Sequence, residues 1–237
     1  MNPDPSNLVT TRDALHQLAY FALAPARYRV TGRLGLRPSA GGFTTPEFEG
    51  KVARIEGDLL ILEEQSGVAT RTITNIGDAC GFLGIPYDSD WFVDFRDPLP
   101  PADPVKPLEV DGGVTRQIGD LFLFGARVLR TLGGMADPGD EATEIQLWPE
   151  HFDLATELGA EEKRASYGLS PGDGAHPEPY LYVSAWGEID RANPYWNDPH
   201  FNGSSRTYQE IASAPDASVA AVDFLYRGYR LLDGGVE

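Results

Sequence analysis

Between Phe48 and Ile73 three short apolar runs are separated only by Glu56-Gly57-Asp58 and Gln65-Ser66-Gly67. A connection that short cannot carry a crossover, which takes about a dozen residues, so the runs can pair only as antiparallel neighbours. The spacing predicts strands at 48–56, 59–63 and 68–73. Leu59-Leu60-Ile61-Leu62 is apolar on both faces, as an interior strand requires. Ahead of them Tyr28, Val30, Leu34 and Leu36 alternate with Arg29, Thr31, Arg33 and Arg37, predicting a half-buried strand over 28–37.

Other segments change period. Leu15, Leu18, Ala19, Ala22 and Leu23 predict a helix over 11–23, capped by Thr10 or Thr11 and stopped by Pro25. Asn75 caps a short helix over 76–83. Val114, Ile118, Leu121, Phe122, Gly125, Val128, Leu129 and Leu132 form one stripe, the clearest helix of the chain, ended by Gly133-Gly134. Strands recur at 143–148, 151–158, 164–169 and 179–186, a long loop covers 187–206, and Asp216 opens a last helix to Leu232. The order is helix, four strands, helix, twice over. The fold expected is α+β: antiparallel sheet in two pseudo-similar halves with the long helices packed against it. The halves are 1–85 and 114–237. They are joined over 86–113 by a connector with six prolines, pinned by Trp91, Phe92 and Phe95. Gly35-Leu36-Arg37-Pro38 echoes Gly168-Leu169-Ser170-Pro171, which suggests duplication as readily as repeated turn chemistry.

The chain has 237 residues, 41% of them hydrophobic, enough for a real core. Its net charge of -17 argues against nucleic-acid partners and anionic membrane surfaces, since both are held through Lys and Arg. No apolar run approaches the roughly 18 residues of a membrane span. Cys80 is the only cysteine, so no intrachain disulfide forms. The first residues lack a basic and apolar leader. A soluble, cytoplasmic protein is expected, and a homodimer is compatible with this.

Chemistry concentrates late in the chain. His151 with Asp153, His176 with Glu178, and Asp198 with His200 are each two residues apart. On a strand over 151–158, His151 and Asp153 would share a face. Imidazoles and carboxylates converging from separate segments suit Zn, Mn or Fe, or serve as acid–base partners. His151, His176 and His200 are therefore the candidate metal ligands, with a divalent metal the only cofactor suggested. His151, Asp153 and Glu178 are the candidate catalytic groups. No established metal-binding spacing occurs, and capping histidines in acidic loops explain the pattern equally. Arg27, Arg29, Arg33 and Arg37 share one parity and could hold an anionic ligand, Arg33 foremost, or pair with acidic residues across the sheet. Tyr180, Tyr182 and Trp186 alternate with core aliphatics, and Trp148, Tyr195 and Trp196 lie near them in sequence. They line a pocket or pack under the helices. No phosphate-binding or nucleophile-elbow motif is present.

The Val30–Leu36 segment, the strand–turn–strand of 48–62, the motif His151-Phe152-Asp153-Leu154-Ala155 and the Ser170-Pro171-Gly172 loop carry a resemblance. In these residues, and in the final helix with Phe224-Leu225, the chain resembles a family of uncharacterised bacterial proteins classed as a domain of unknown function. The resemblance implies a real strand at Phe152-Asp153. It brings no activity, cofactor or site residue. Three functions follow from the residues. The first is small-molecule binding in a pocket between sheet and loops lined by Trp148, His151, Asp153, His176, Tyr182 and Trp196. The second is a metal-assisted hydrolase or related enzyme built on the His/carboxylate cluster. The third is a pocketless interaction module using the Trp91–Phe95 connector or the last helix.

Overall fold

The computed structural model describes residues 5–91 and 98–234. The chain divides into two compact units, one up to Leu123 together with Leu147–Phe152, the other Phe124–Gln146 together with 153 onward. Each unit is built on an antiparallel meander with helices, an α+β arrangement.

In the first unit α1 (Pro5–Leu18), a π-helical turn (Ala19–Leu23) and α2 (Ala24–Thr31) follow without a break. Pro25 therefore lies inside a helical run, where the sequence predicts a stop. Proline has no N–H for the carbonyl four residues back, and its ring crowds that carbonyl. The wider π turn makes room for the ring, and the carbonyl concerned, Phe21 O, accepts from Cys80 Sγ at 3.2 Å. All five residues of the π turn are buried. The helix ends instead at Gly32, left-handed at φ 65°, whose N–H reaches Tyr28 O at 2.8 Å.

Residues 28–31 are thus helical, and the strand expected over 28–37 is not formed. Only Arg37–Ser39 (β1) is extended. The one-faced arginine row disappears with it. Buried Arg27 donates from Nη1 to Gly35 O at 2.5 Å, Arg29 pairs with Asp88 at 3.5 Å, and Arg33 is exposed in the connection after α2.

The first sheet runs in chain order: β1, β2 (Gly42–Thr44), β3 (Val52–Glu56), β4 (Leu59–Glu64) and β5 (Gly67–Thr72). The apolar run 59–62 falls on β4, paired on both sides as expected. Phe43, Ala53, Ile55 and Leu60 bury one face, while all six residues of the edge strand β5 are exposed. α3 (Ile76–Phe82) starts where Asn75 Oδ1 accepts from Asp78 N at 2.8 Å. Trp91 packs its ring at 5.8 Å from Tyr20 and 5.7 Å from Tyr28, which pins the start of the proline-rich segment. Phe92 and Phe95 lie outside the described residues. α4 (Gly112–Gly134) begins with Asp111 Oδ1 accepting from Gly113 N and Val114 N. At Gly119 it approaches the β1–β2 hairpin so closely that a Cβ would strike the backbone of Gly42.

Phe152 closes the first unit's core. Its ring centroid lies 5.5 Å from His16, 5.4 Å from Phe43 and 5.5 Å from Phe122. To reach them its backbone turns left-handed at φ 52°. Such strain costs on the order of 1 kcal/mol, less than the roughly 2–3 kcal/mol gained by burying the ring. Phe152 N donates to Trp148 O at 2.8 Å, so 148–152 is a tight turn with His151 exposed on it. The strand expected from His151 begins only at Asp153, and His151 and Asp153 do not share a strand face.

The second sheet is the meander β6 (Gln146–Trp148), β7 (Asp153–Leu158), β8 (Ala165–Ser170), β9 (Tyr180–Ala185) and β10 (Gly203–Thr207). β10 occupies the end of the expected loop over 187–206, and in the first sheet β2 lies between the expected strands 28–37 and 48–56, so each sheet has five strands where four were expected. The two echoing segments fall at β1, a first strand, and at the end of β8, a third. Cross-strand register puts Leu154, Leu169 and Leu181 in one row and Thr156, Tyr167 and Val183 in the next. This apolar face receives the second half of α4 at Gly125, where a Cβ would sit 3.2 Å from Leu154 and Leu169. It also receives α6 (Ala217–Leu232), capped by Asp216 as expected, at Gly228 against Val183 and Tyr195. Between β10 and α6 lies the single turn α5 (Tyr208–Ala212). Among the described residues no helix is long and apolar enough to cross a membrane.

Candidate functional site

The opposite face of the second sheet is polar and carries the site. Its central row is Ala155, Gly168, Tyr182 and Ser205, with Ser170 and Tyr180 paired in the next row. Two loops, 171–179 and 196–202, supply the remaining groups.

Both loops are shaped by an aspartate. Asp173 Oδ1 accepts from Ala175 N at 2.7 Å and His176 N at 2.8 Å, while Asp173 N donates to His176 O at 2.7 Å. Asp198 Oδ1 accepts from His200 N at 2.8 Å and Phe201 N at 3.3 Å. Arg191 clamps the second loop through Asp198 O and Phe201 O, both at 3.0 Å. These are Asx-type turns, in which a short acidic side chain replaces a backbone acceptor.

Three side-chain pairs then connect the loops and the sheet. Tyr182 donates its hydroxyl proton to Asp153, Tyr180 donates to Asp173 at 2.6 Å, and His176 Nε2 lies 2.8 Å from Asp198 Oδ2. The Asp198 side chain is fully buried and that of His176 is 18% exposed. The His176 ring lies 4.4 Å from Tyr180, 5.2 Å from His200 and 6.0 Å from Phe201. Its Nδ1 lies 3.6 Å from Asp173 Oδ1.

Burial pushes the carboxyl of Asp173 up, but the Tyr180 hydroxyl, the two loop N–H groups and His176 outweigh it and hold the group below its ordinary range. Asp198 is likewise pushed up by burial. It is held low on balance by the Ser205 hydroxyl, the His200 N–H and the His176 ring. Tyr180 moves far the other way, through burial first and the Asp173 charge second. Both carboxylates are ionised at neutral pH and both tyrosines stand as hydrogen-bond donors to carboxylates.

The residues expected to form one pocket divide between the units: Trp148 and His151 belong to the first, Asp153, His176, Tyr182 and Trp196 to the second. Asp153, His176 and Tyr182 enter the cluster just described. Trp196 is buried edge-on against Tyr195 at 4.8 Å. Glu178 is exposed between two prolines, and His176 pairs with Asp198 instead. Asp198 binds the backbone N–H of His200 rather than its ring. Among the described residues no group of three or more His, Cys, Asp or Glu side chains is placed to hold a metal ion, so His151, His176 and His200 do not form such a set. Trp186, on the parity of Tyr180 and Tyr182, is 57% exposed and stacks with Arg164 at 5.3 Å.

Sequence reasoning missed Asp173, visible only as the start of an Asp-Gly-x-His turn, and the role of Gly168. No family model, curated protein or solved structure matches this chain.

Proposed function

We propose that the polar face of the second sheet binds a small molecule rich in hydrogen-bond donors, best served by an organic ammonium ion. Hydrogen-bond polarity is the observation that carries the reading. Tyr182, Tyr180 and His176 each direct a donor at a carboxylate. With the imidazole proton on Nε2, His176 Nδ1 is a buried acceptor that no hydrogen bond fills. A ligand completing such a face must donate. Three carboxylates beside the rings of Tyr180, Tyr182 and Phe201 add charge and cation–π attraction for an ammonium group. A cytoplasmic setting belongs to the same reading.

Phenethylamine, 2-phenylethanol and 3-phenylpropionate share a ring and differ in the polar end. Titrated by calorimetry and by NMR, the amine is expected to bind at about 1 mM, the alcohol more weakly and the acid not at all. Asp153→Asn should weaken the amine about tenfold. No response of the Tyr180, Tyr182 and His176 resonances to any of the three at about 10 mM would end the reading.

A second reading, an enzyme using His176 as an acid–base group oriented by Asp198, is favoured by their 2.8 Å contact and the burial of that carboxylate. Turnover of a bound amine, lost in His176→Gln with binding retained, would establish it.

A further inference from the structure

We propose that Gly168 is the positioning residue of this site, keeping Tyr182 seated on Asp153. The proposal rests on the reading that this face binds a ligand through that pair. Gly168 lies directly opposite Tyr182 in the β8–β9 ladder. A Cβ at Gly168 would fall 2.5 Å from both Cζ and Oη of Tyr182 and 2.6 Å from Cε1. The ring therefore lies across the α-carbon of β8 rather than standing beside it.

The backbone of Gly168 does not itself ask for glycine, since its φ is not among the positive ones. Glycine inside a strand lacks a side chain to pack and loses backbone entropy, so something else must occupy the space. The Tyr182 ring does. The neighbours of Gly168 on that face are short as well: Ala155 across the ladder, Ser166 and Ser170 along the strand. They form a shallow floor over which the ring extends from β9, past β8, to the buried carboxylate of Asp153 at the start of β7. Any side chain at 168 lifts the ring, breaks the Tyr182–Asp153 hydrogen bond and changes what the site offers a ligand, without touching that ligand.

Two measurements test this, one needing no ligand. In protein carrying 13Cζ-tyrosine, the Tyr182 resonance is assigned by its loss in Tyr182→Phe. Gly168→Ala should move it toward the position of a solvated phenol and lower the melting temperature. In a Tyr182→Ala background, where the space is open, Gly168→Ala should cost no melting temperature. With phenethylamine as probe, Gly168→Ala and Tyr182→Phe should each weaken binding about tenfold, and the double variant no more than either single one. An unmoved Tyr182 resonance in Gly168→Ala, or an equal loss of melting temperature in both backgrounds, overturns the proposal. The expected resonance and melting behaviour, with no probe binding to the parent protein, would support Gly168 as the seat of the Tyr182–Asp153 pair and defeat the ligand reading alone.

Discussion

His16 makes the stability of the first unit depend on pH in a window of its own. Its ring stacks on Phe152 at 5.5 Å and 16°, with Nε2 3.2 Å from Glu150 O. Burial, only partly offset by the backbone carbonyls of Glu150 and Pro149, pushes the imidazole from 6.5 down to about 4. A folded-state value below the unfolded one means that folding favours the neutral ring. Stability is therefore complete above the unfolded value, falls as pH drops through it, and levels off only below the folded value. With 1.36 kcal/mol per pKa unit, the full penalty is about 3 kcal/mol, and at pH ~4.5 about 2.5 kcal/mol is already lost. These are upper figures, because part of the ring remains accessible. His16→Gln retains a donor for Glu150 O and does not titrate. Urea unfolding at pH ~7.5 and ~4.5 should give a smaller acid loss in the variant than in the parent, by about 2 kcal/mol. The other three histidines are common to both proteins and cancel in the difference. Identical pH profiles, or an NMR titration of His16 with a midpoint near that of a free imidazole, would refute the reasoning.

Cys80→Ala removes the donor to Phe21 O and should cost about 1 kcal/mol in urea unfolding beyond the loss of the sulfur's packing. Cys80→Ser should lose less. Pro25→Ala restores an N–H for that carbonyl, so it should shrink the effect of Cys80→Ala. The depressed carboxyls of Asp173 and Asp198 contribute stability above the ordinary aspartate range that is lost as pH falls through their lower folded values. Asp198→Asn should flatten the most acidic part of the unfolding profile and speed amide exchange at His200 and Phe201, and unchanged exchange there would count against the loop account.

Local signals are legible in the sequence where the partner is local. Asn75 and Asp216 cap the helices that their positions announce, and Glu56-Gly57-Asp58 and Gln65-Ser66-Gly67 turn the strands that they separate. Structure departs from local pattern where the deciding contact is distant. Pro25 is a stop signal by itself. It becomes tolerable because a thiol 59 residues away is hydrogen-bonded to the carbonyl that it cannot serve. Phe152 broke the parity of its strand because its ring is buried among His16, Phe43 and Phe122, none of them near it in sequence.

The site follows the same division, atom by atom. A carboxylate has two oxygens, and in each loop the two serve different ranges of the chain. Oδ1 of Asp173 and Oδ1 of Asp198 are taken by N–H groups two and three residues ahead, which is all that a short acidic turn requires. Oδ2 is left for a partner that the local sequence does not name: Tyr180 at 2.6 Å for Asp173, His176 at 2.8 Å for Asp198. Pairing each histidine with the carboxylate two residues away assumed that side chain would meet side chain. In these turns the near carboxylate oxygen meets backbone instead, and that local contact fixes the direction of the far oxygen. The aspartates that shape the loops are thus the ones that hold the site together, and the histidine–carboxylate clustering pointed to the right segments while assigning the wrong partners.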